Sequence, residues 1–110
     1  MNDFMTILET KLKELGAYVF QHGDLKKGLL AANGALQCRL MFTGVDLALN
    51  AVRPIATVTV YVPNTVSEND FMNTCLDIIN GLNKVAVIQT FTRVSHNDKY
   101  HSGAITIRND

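Results

Sequence analysis

From Ala35 onward apolar residues recur at every second position, and at Gly44 that alternation changes phase. Leu36, Cys38, Leu40 and Phe42 fall on one side of an extended chain, with Gln37, Arg39 and Thr43 on the other. After Gly44 the apolar set becomes Val45, Leu47 and Leu49. Successive side chains of a strand point to opposite faces, so a one-residue slip carries every later side chain across the sheet. Gly44 must therefore mark a bulge or a turn, and residues 36–52 read as a long β-hairpin or bent arm. Arg53-Pro54 punctuates its end, because proline cannot donate to a central ladder. Residues 55–62 (IATVTVYV) carry the strongest strand signal. Ala56, Val58, Val60 and Val62 line one face and a half-polar set lines the other, the pattern of a central or partner-covered strand.

Helical periods bracket this region. Phe4, Ile7, Leu8, Leu12 and Leu15 form an apolar stripe broken only by Lys11 and widened by Met1 and Met5. Asn2 or Asp3 can cap its start, and Gly16 is placed to end it in a left-handed conformation. Residues 17–21 then read as a short strand. Over residues 22–34, Asp24 can cap a single turn at 25–30, which Gly28 weakens by about 1 kcal/mol. Ser67 opens a second helix, with Asp70 at the third helical position where a capping box would have Glu. Phe71, Cys75, Ile78, Ile79 and Leu82 make its stripe, and Gly81 lies near its end. Residues 85–94 and 103–108 are two further strands, joined by the polar stretch 95–102 as an antiparallel hairpin. The expected architecture is one α+β domain over residues 1–110, a mostly antiparallel sheet flanked by two helices, in the order α-β-(loop)-β-β-β-α-β-β.

Composition excludes several classes of function. Ten Lys and Arg balance ten Asp and Glu, so there is no basic stripe to neutralise phosphates and no acidic tail. No sequence-specific nucleic-acid binding is expected. No 18-residue apolar run could span a bilayer, and the first sixteen residues lack the apolar core of a secretory signal. Folding in a cytoplasm is expected. The two cysteines, Cys38 and Cys75, sit among hydrophobic neighbours and read as reduced, small core residues.

Candidate chemistry is sparse. His96, Asp98 and His101 lie close enough in sequence to raise a metal site, but a solvated hairpin loop with Lys99 beside them is the stronger reading. Cys75, on a helical stripe between Phe71 and Ile78, reads as packing rather than as a nucleophile. The glycines form no phosphate-binding pattern. No catalytic, cofactor-binding or metal-binding residue is expected, and the chain does not read as an enzyme. What stands out is apolar surplus: Leu29, Leu30, Val45, Leu47, Leu49 and Val52 lie in the glycine-interrupted middle, where a domain of this size has little core left. Either the hairpin packs on the first helix, or part of it is buried against another subunit. Only 18% of the residues are charged, against about 25% in average domains, which favours the second. Val45, Leu47, Leu49, Val52 and Arg53 are the candidate interface residues.

In size, element order and spacing, the chain resembles the small tail-terminator, or tail-completion, proteins of long-tailed bacteriophages and phage-like particles. The matching stretches are residues 1–15, 54–62 after Arg53, 67–82 and 85–108; residues 23–34 have no clear counterpart. The resemblance implies a non-enzymatic virion protein, made in the host cytoplasm, whose hexameric ring caps the tail tube and joins it to the head. Its partners would be further copies of itself, the tail-tube protein and neck or connector proteins, with no membrane. The alternative from another class is a small dimeric secretion- or assembly-type chaperone, which can share a similar element order but is usually acidic. A small enzyme or ligand-binding α+β domain is a third possibility, to which no convergent polar residues point.

Overall fold

The computed structural model describes residues 2–21, 36–47, 52–96 and 99–109. The expected turn at 25–30 and the candidates Leu29, Leu30 and Leu49 lie outside them. Helix α1 spans Asn2–Glu14 and is followed by strand β1 (Tyr18–Phe20), then β2 (Gln37–Asp46) and β3 (Arg53–Pro63). Helix α2 spans Glu68–Leu82, and β4 (Val87–His96) and β5 (Tyr100–Arg108) close the chain. The five strands form one sheet in the order β1-β2-β3-β5-β4. Only the β1–β2 pair is parallel; the others are antiparallel. This is the expected α+β class. Between residues 36 and 67 the described residues form two strands rather than three, because the phase change at Gly44 is absorbed inside β2.

Each helix follows from its sequence. In α1, Phe4, Leu8 and Leu12 are buried at four-residue spacing and put one face on the sheet. Gly16 then takes φ +90°, so that Gly16 N–H bonds Lys13 O and Ala17 N–H bonds Leu12 O, closing the helix as a left-handed cap. In α2 the Ser67 hydroxyl accepts from the Asp70 N–H at 3.1 Å, as its capping position requires. Phe71, Cys75, Ile78 and Leu82 are buried at its inner face. Gly81 is there for packing: a Cβ at that position would lie 2.7 Å from Leu15 Cδ1, so its lack of a side chain lets α1 and α2 meet.

Both helices lie on one face of the sheet. The sheet residues in the core share one parity along each strand: Cys38 and Leu40; Ala56, Val58, Val60 and Val62; Ile105 and Ile107. At roughly 1.5–3 kcal/mol for each large apolar side chain removed from water, this single layered core supplies the main stabilisation. Cys38 and Cys75 are free and fully buried in it, as their neighbours suggested. Burial, before any nearby charge, pushes both thiols up to about 12, so they are protonated and unreactive at neutral pH.

The closing hairpin departs from expectation. Its strands run to His96 and resume at Tyr100, so residues 95–96 and 100–102 of the expected connecting stretch are strand. Pro54, expected to stop pairing, lies inside β3, opposite Val45. Its carbonyl accepts the N–H of Asn109 at 2.9 Å, and acceptance is all that proline can do in a ladder. No helix among the described residues is long and apolar enough to cross a membrane.

Candidate subunit interface

The bulge in β2 explains the sequence puzzle. Cys38 pairs with Val60, Leu40 with Val58 and Phe42 with Ala56, all on the helix-facing side. Register then shifts, so that Gly44 pairs with Ile55 and Val45 with Pro54. Pro54 lies two residues from Ala56 and thus on the same face. The extra residue, Thr43, is held on the rim: its hydroxyl donates to Ile55 O at 3.3 Å and accepts from the Thr57 hydroxyl at 3.4 Å. The apolar row Cys38–Leu40–Phe42–Val45 is therefore continuous on one face, even though its last member has changed parity.

Cover for that row ends partway along. Cys38 and Leu40 are 0% and 1% exposed, whereas Phe42 and Val45 are 42% and 40% exposed. Beyond them Leu47 is 68% and Val52 70% exposed, and Met41 on the opposite face is also open. Residues 42–47 with 52–54 thus form an arm at the less covered end of β2 and β3; at Phe42 the sheet is still four strands wide, since Ala56 pairs with Ile107 and Ile107 with Ile88. An ion pair ties the far part of the arm to β5: Arg108 Nη1 donates to Asp46 Oδ2 at 3.1 Å, reaching across β3, with both side chains only about a quarter exposed. Of the candidate residues, Val45, Leu47, Val52 and Arg53 cluster on this arm, Arg53 pairing with Asp46 at the start of β3. Leu49 lies outside the described residues. Phe42 belongs to the same row and was missed; its even parity, shared with buried Leu40, was the available signal.

Of the candidate metal residues, only His101 has a described side chain. Among the described residues no group of His, Cys, Asp and Glu could hold an ion. Asp98 lies outside them. His101 is buried at 2% exposure, stacked on Phe71 at 5.2 Å between ring centroids. Its Nε2 lies 2.8 Å from Val66 O, and a carbonyl can only accept, so Nε2 carries the proton. Its Nδ1 is then free to accept from Arg93 Nη2 at 3.1 Å. Arg93 also lies over the Phe71 ring, 4.7 Å from its centroid, and grips Glu68 with two bonds of 2.7 and 3.2 Å. This cluster ties β4 and β5 to the start of α2, and each group in it serves another.

On the face of the sheet away from the helices, Tyr18, Phe20, Tyr61 and Tyr100 form a chain of ring contacts with centroids 5.3–6.3 Å apart, and Arg39 lies over Phe20 at 5.3 Å. Burial raises the Tyr61 phenol above its ordinary range, with Arg39 opposing the rise. These residues are scattered in sequence, and only the strand order brings them together. No protein-family model matches the chain, and no curated protein matches it in sequence.

Proposed function

We propose that the protein is a non-enzymatic structural subunit, a tail-terminator or neck protein of a phage or phage-like particle. Its homo-oligomeric ring would cap the tail tube and join it to the head in the virion. The observation that carries this reading is the arm: the end of β2 and β3 whose core-facing row, Phe42 and Val45, continues into exposed Leu47 and Val52. Exposed apolar residues gathered on one projection mark a contact with another macromolecule. A balance of ten positive and ten negative charges lets like copies approach without net repulsion. Light scattering and negative-stain microscopy test it: ring-shaped particles of about six copies are expected. Leu47→Glu is expected to leave a folded monomer with an unchanged melting temperature. A particle of two copies would favour the chaperone reading, and a monomer at high concentration would remove the ring.

A further inference from the structure

The arm is a partly covered end of the sheet on the β2 side, and on the β4 side a helix lies over the last two strands. Helix α2 packs on β5 and β4, whereas α1 packs on β1 and β2. The flank of α2 that faces α1 is marked by Gly81 against Leu15 and by Thr74 and Asp77, which with Leu15 and Gly16 line the depression between the two helices. At 100° per residue, Met72, Leu76 and Ile79 lie on the opposite flank, above the β4 edge. Met72 and Ile79 are partly packed on the core, and Leu76 is 51% exposed.

Among the described residues, backbone pairing is open along part of β2 and along β4. β1 pairs with β2 only over Gln37, Cys38 and Arg39, which leaves the outer edge of residues 40–46 without a strand among the described residues. β4 is the last strand of the sheet and pairs on one side only. Neither segment contains Lys or Pro, the residues that ordinarily guard an edge. Their charges are turned to other uses: Asp46 holds Arg108, and Arg93 is folded onto Phe71 and Glu68. Between the two bulges of β4, residues 90–93 make a regular run. Three successive antiparallel pairings make β4 run opposite to β2. A second copy set beside the first in the same orientation would therefore present β4 antiparallel to β2 and continue the sheet's alternation.

We propose that the arm's occupant is a second copy of this chain, bound head to tail: the β4 edge of one subunit pairs with the outer edge of residues 40–46 of the next, and its Leu76 flank covers Phe42 and Val45. The two surfaces lie on opposite sides of one sheet and cannot satisfy each other within a subunit. Such a contact is heterologous and generates a closed ring or an open fibre. The inference rests on the ring reading and specifies its junction.

The test is cross-linking of the full-length chain with a short bismaleimide, alongside its mass by light scattering. Leu76→Cys is combined with Phe42→Cys, and again with Val45→Cys in case the first pairing weakens assembly; the native cysteines are buried and stay unlabelled. The double variants are expected to give a ladder of covalent multimers. Each single variant is expected to give none, and an equimolar mixture of two singles only dimers. Dimers from Phe42→Cys alone would overturn the proposal in favour of arm-on-arm contact. Ring-sized particles without any 42–76 or 45–76 cross-link would overturn this junction and leave the ring reading standing. A monomeric mass for the unmodified chain would remove both.

Discussion

The two halves of β2 have the same local character and opposite fates. Cys38 and Leu40 are closed over by the helices, and Phe42 and Val45, on the same face, are not. Nothing in the strand itself makes the difference: both halves are apolar on one side, and both pair with β3. The difference is where the helices stop. A row of core-quality side chains has been extended beyond the layer that makes it a core, so stability is concentrated in one half and the capacity for contact in the other.

The sharpest way to break this comparison is to truncate matched residues in each half. Leu40→Ala should cost about 2–5 kcal/mol of unfolding free energy, since it opens a cavity in the core between β2 and α1. Phe42→Ala should change the stability of the unassembled chain by less than about 1 kcal/mol, although it removes the larger side chain. Urea unfolding at a concentration below assembly checks both. Equal losses would mean that the arm is covered within the subunit.

Alkaline pH probes the covered half without truncating any side chain. Cys38 and Cys75 titrate near 9 when unfolded, and burial holds both up to about 12 in the fold. Below pH 9 both states carry the protons and stability is unaffected. Between 9 and 12 the unfolded chain releases protons that the folded chain keeps, so stability falls by up to roughly 1.4 kcal/mol per pH unit for each thiol. Urea midpoints at pH 8 and pH 10.5 should show that decline, and Cys38→Ala with Cys75→Ala should flatten it. A slope that does not respond to the double substitution would place these thiols in contact with water.

Smaller again is the effect expected at Gly103, in the covered part of β5. A Cβ there would lie 2.7 Å from Phe91 Cε1 and 2.8 Å from Cζ, so the ring must shift. Gly103→Ala should cost about 1–3 kcal/mol as overpacking, measured by the same unfolding curves.

How much of this was legible beforehand depended on whether the signal was local. Ser67, Gly16 and the 3.6-residue stripes are short-range devices, and they set both helices where the sequence put them. The period-two run announced β2 and β3, and the slip at Gly44 announced an irregularity. Which irregularity it was depended on the partner strand, because only pairing with Ala56 and Pro54 shows that Phe42 and Val45 share a face. His101 looked like a loop residue because its neighbours in sequence are polar. Its actual neighbours, Phe71, Arg93 and Val66, come from two other segments. The Leu76 flank was unreadable for the same reason: a stripe tells which side of α2 is buried, and only the positions of α1 and β4 tell what its edges overhang.

The mildest test separates the bulge from the residue that marks it. Gly44 was singled out because the apolar alternation changes phase there, and glycine at a bulge suggests a special backbone conformation, yet among the described glycines only Gly16 has a positive φ. At Gly44 nothing lies within 4 Å of where a Cβ would be. The bulge is then imposed by the demand that Leu40, Phe42 and Val45 share a face, not by any special freedom at position 44. Gly44→Ala should be neutral or stabilise the fold by up to about 1 kcal/mol, because alanine restricts the unfolded chain and meets no clash in the folded one. Gly16→Ala should destabilise it, since +90° is strained for any side chain. Thermal unfolding of the two variants side by side reads the sign of each change, and a loss at Gly44 as large as that at Gly16 would show that the arm's geometry depends on glycine after all.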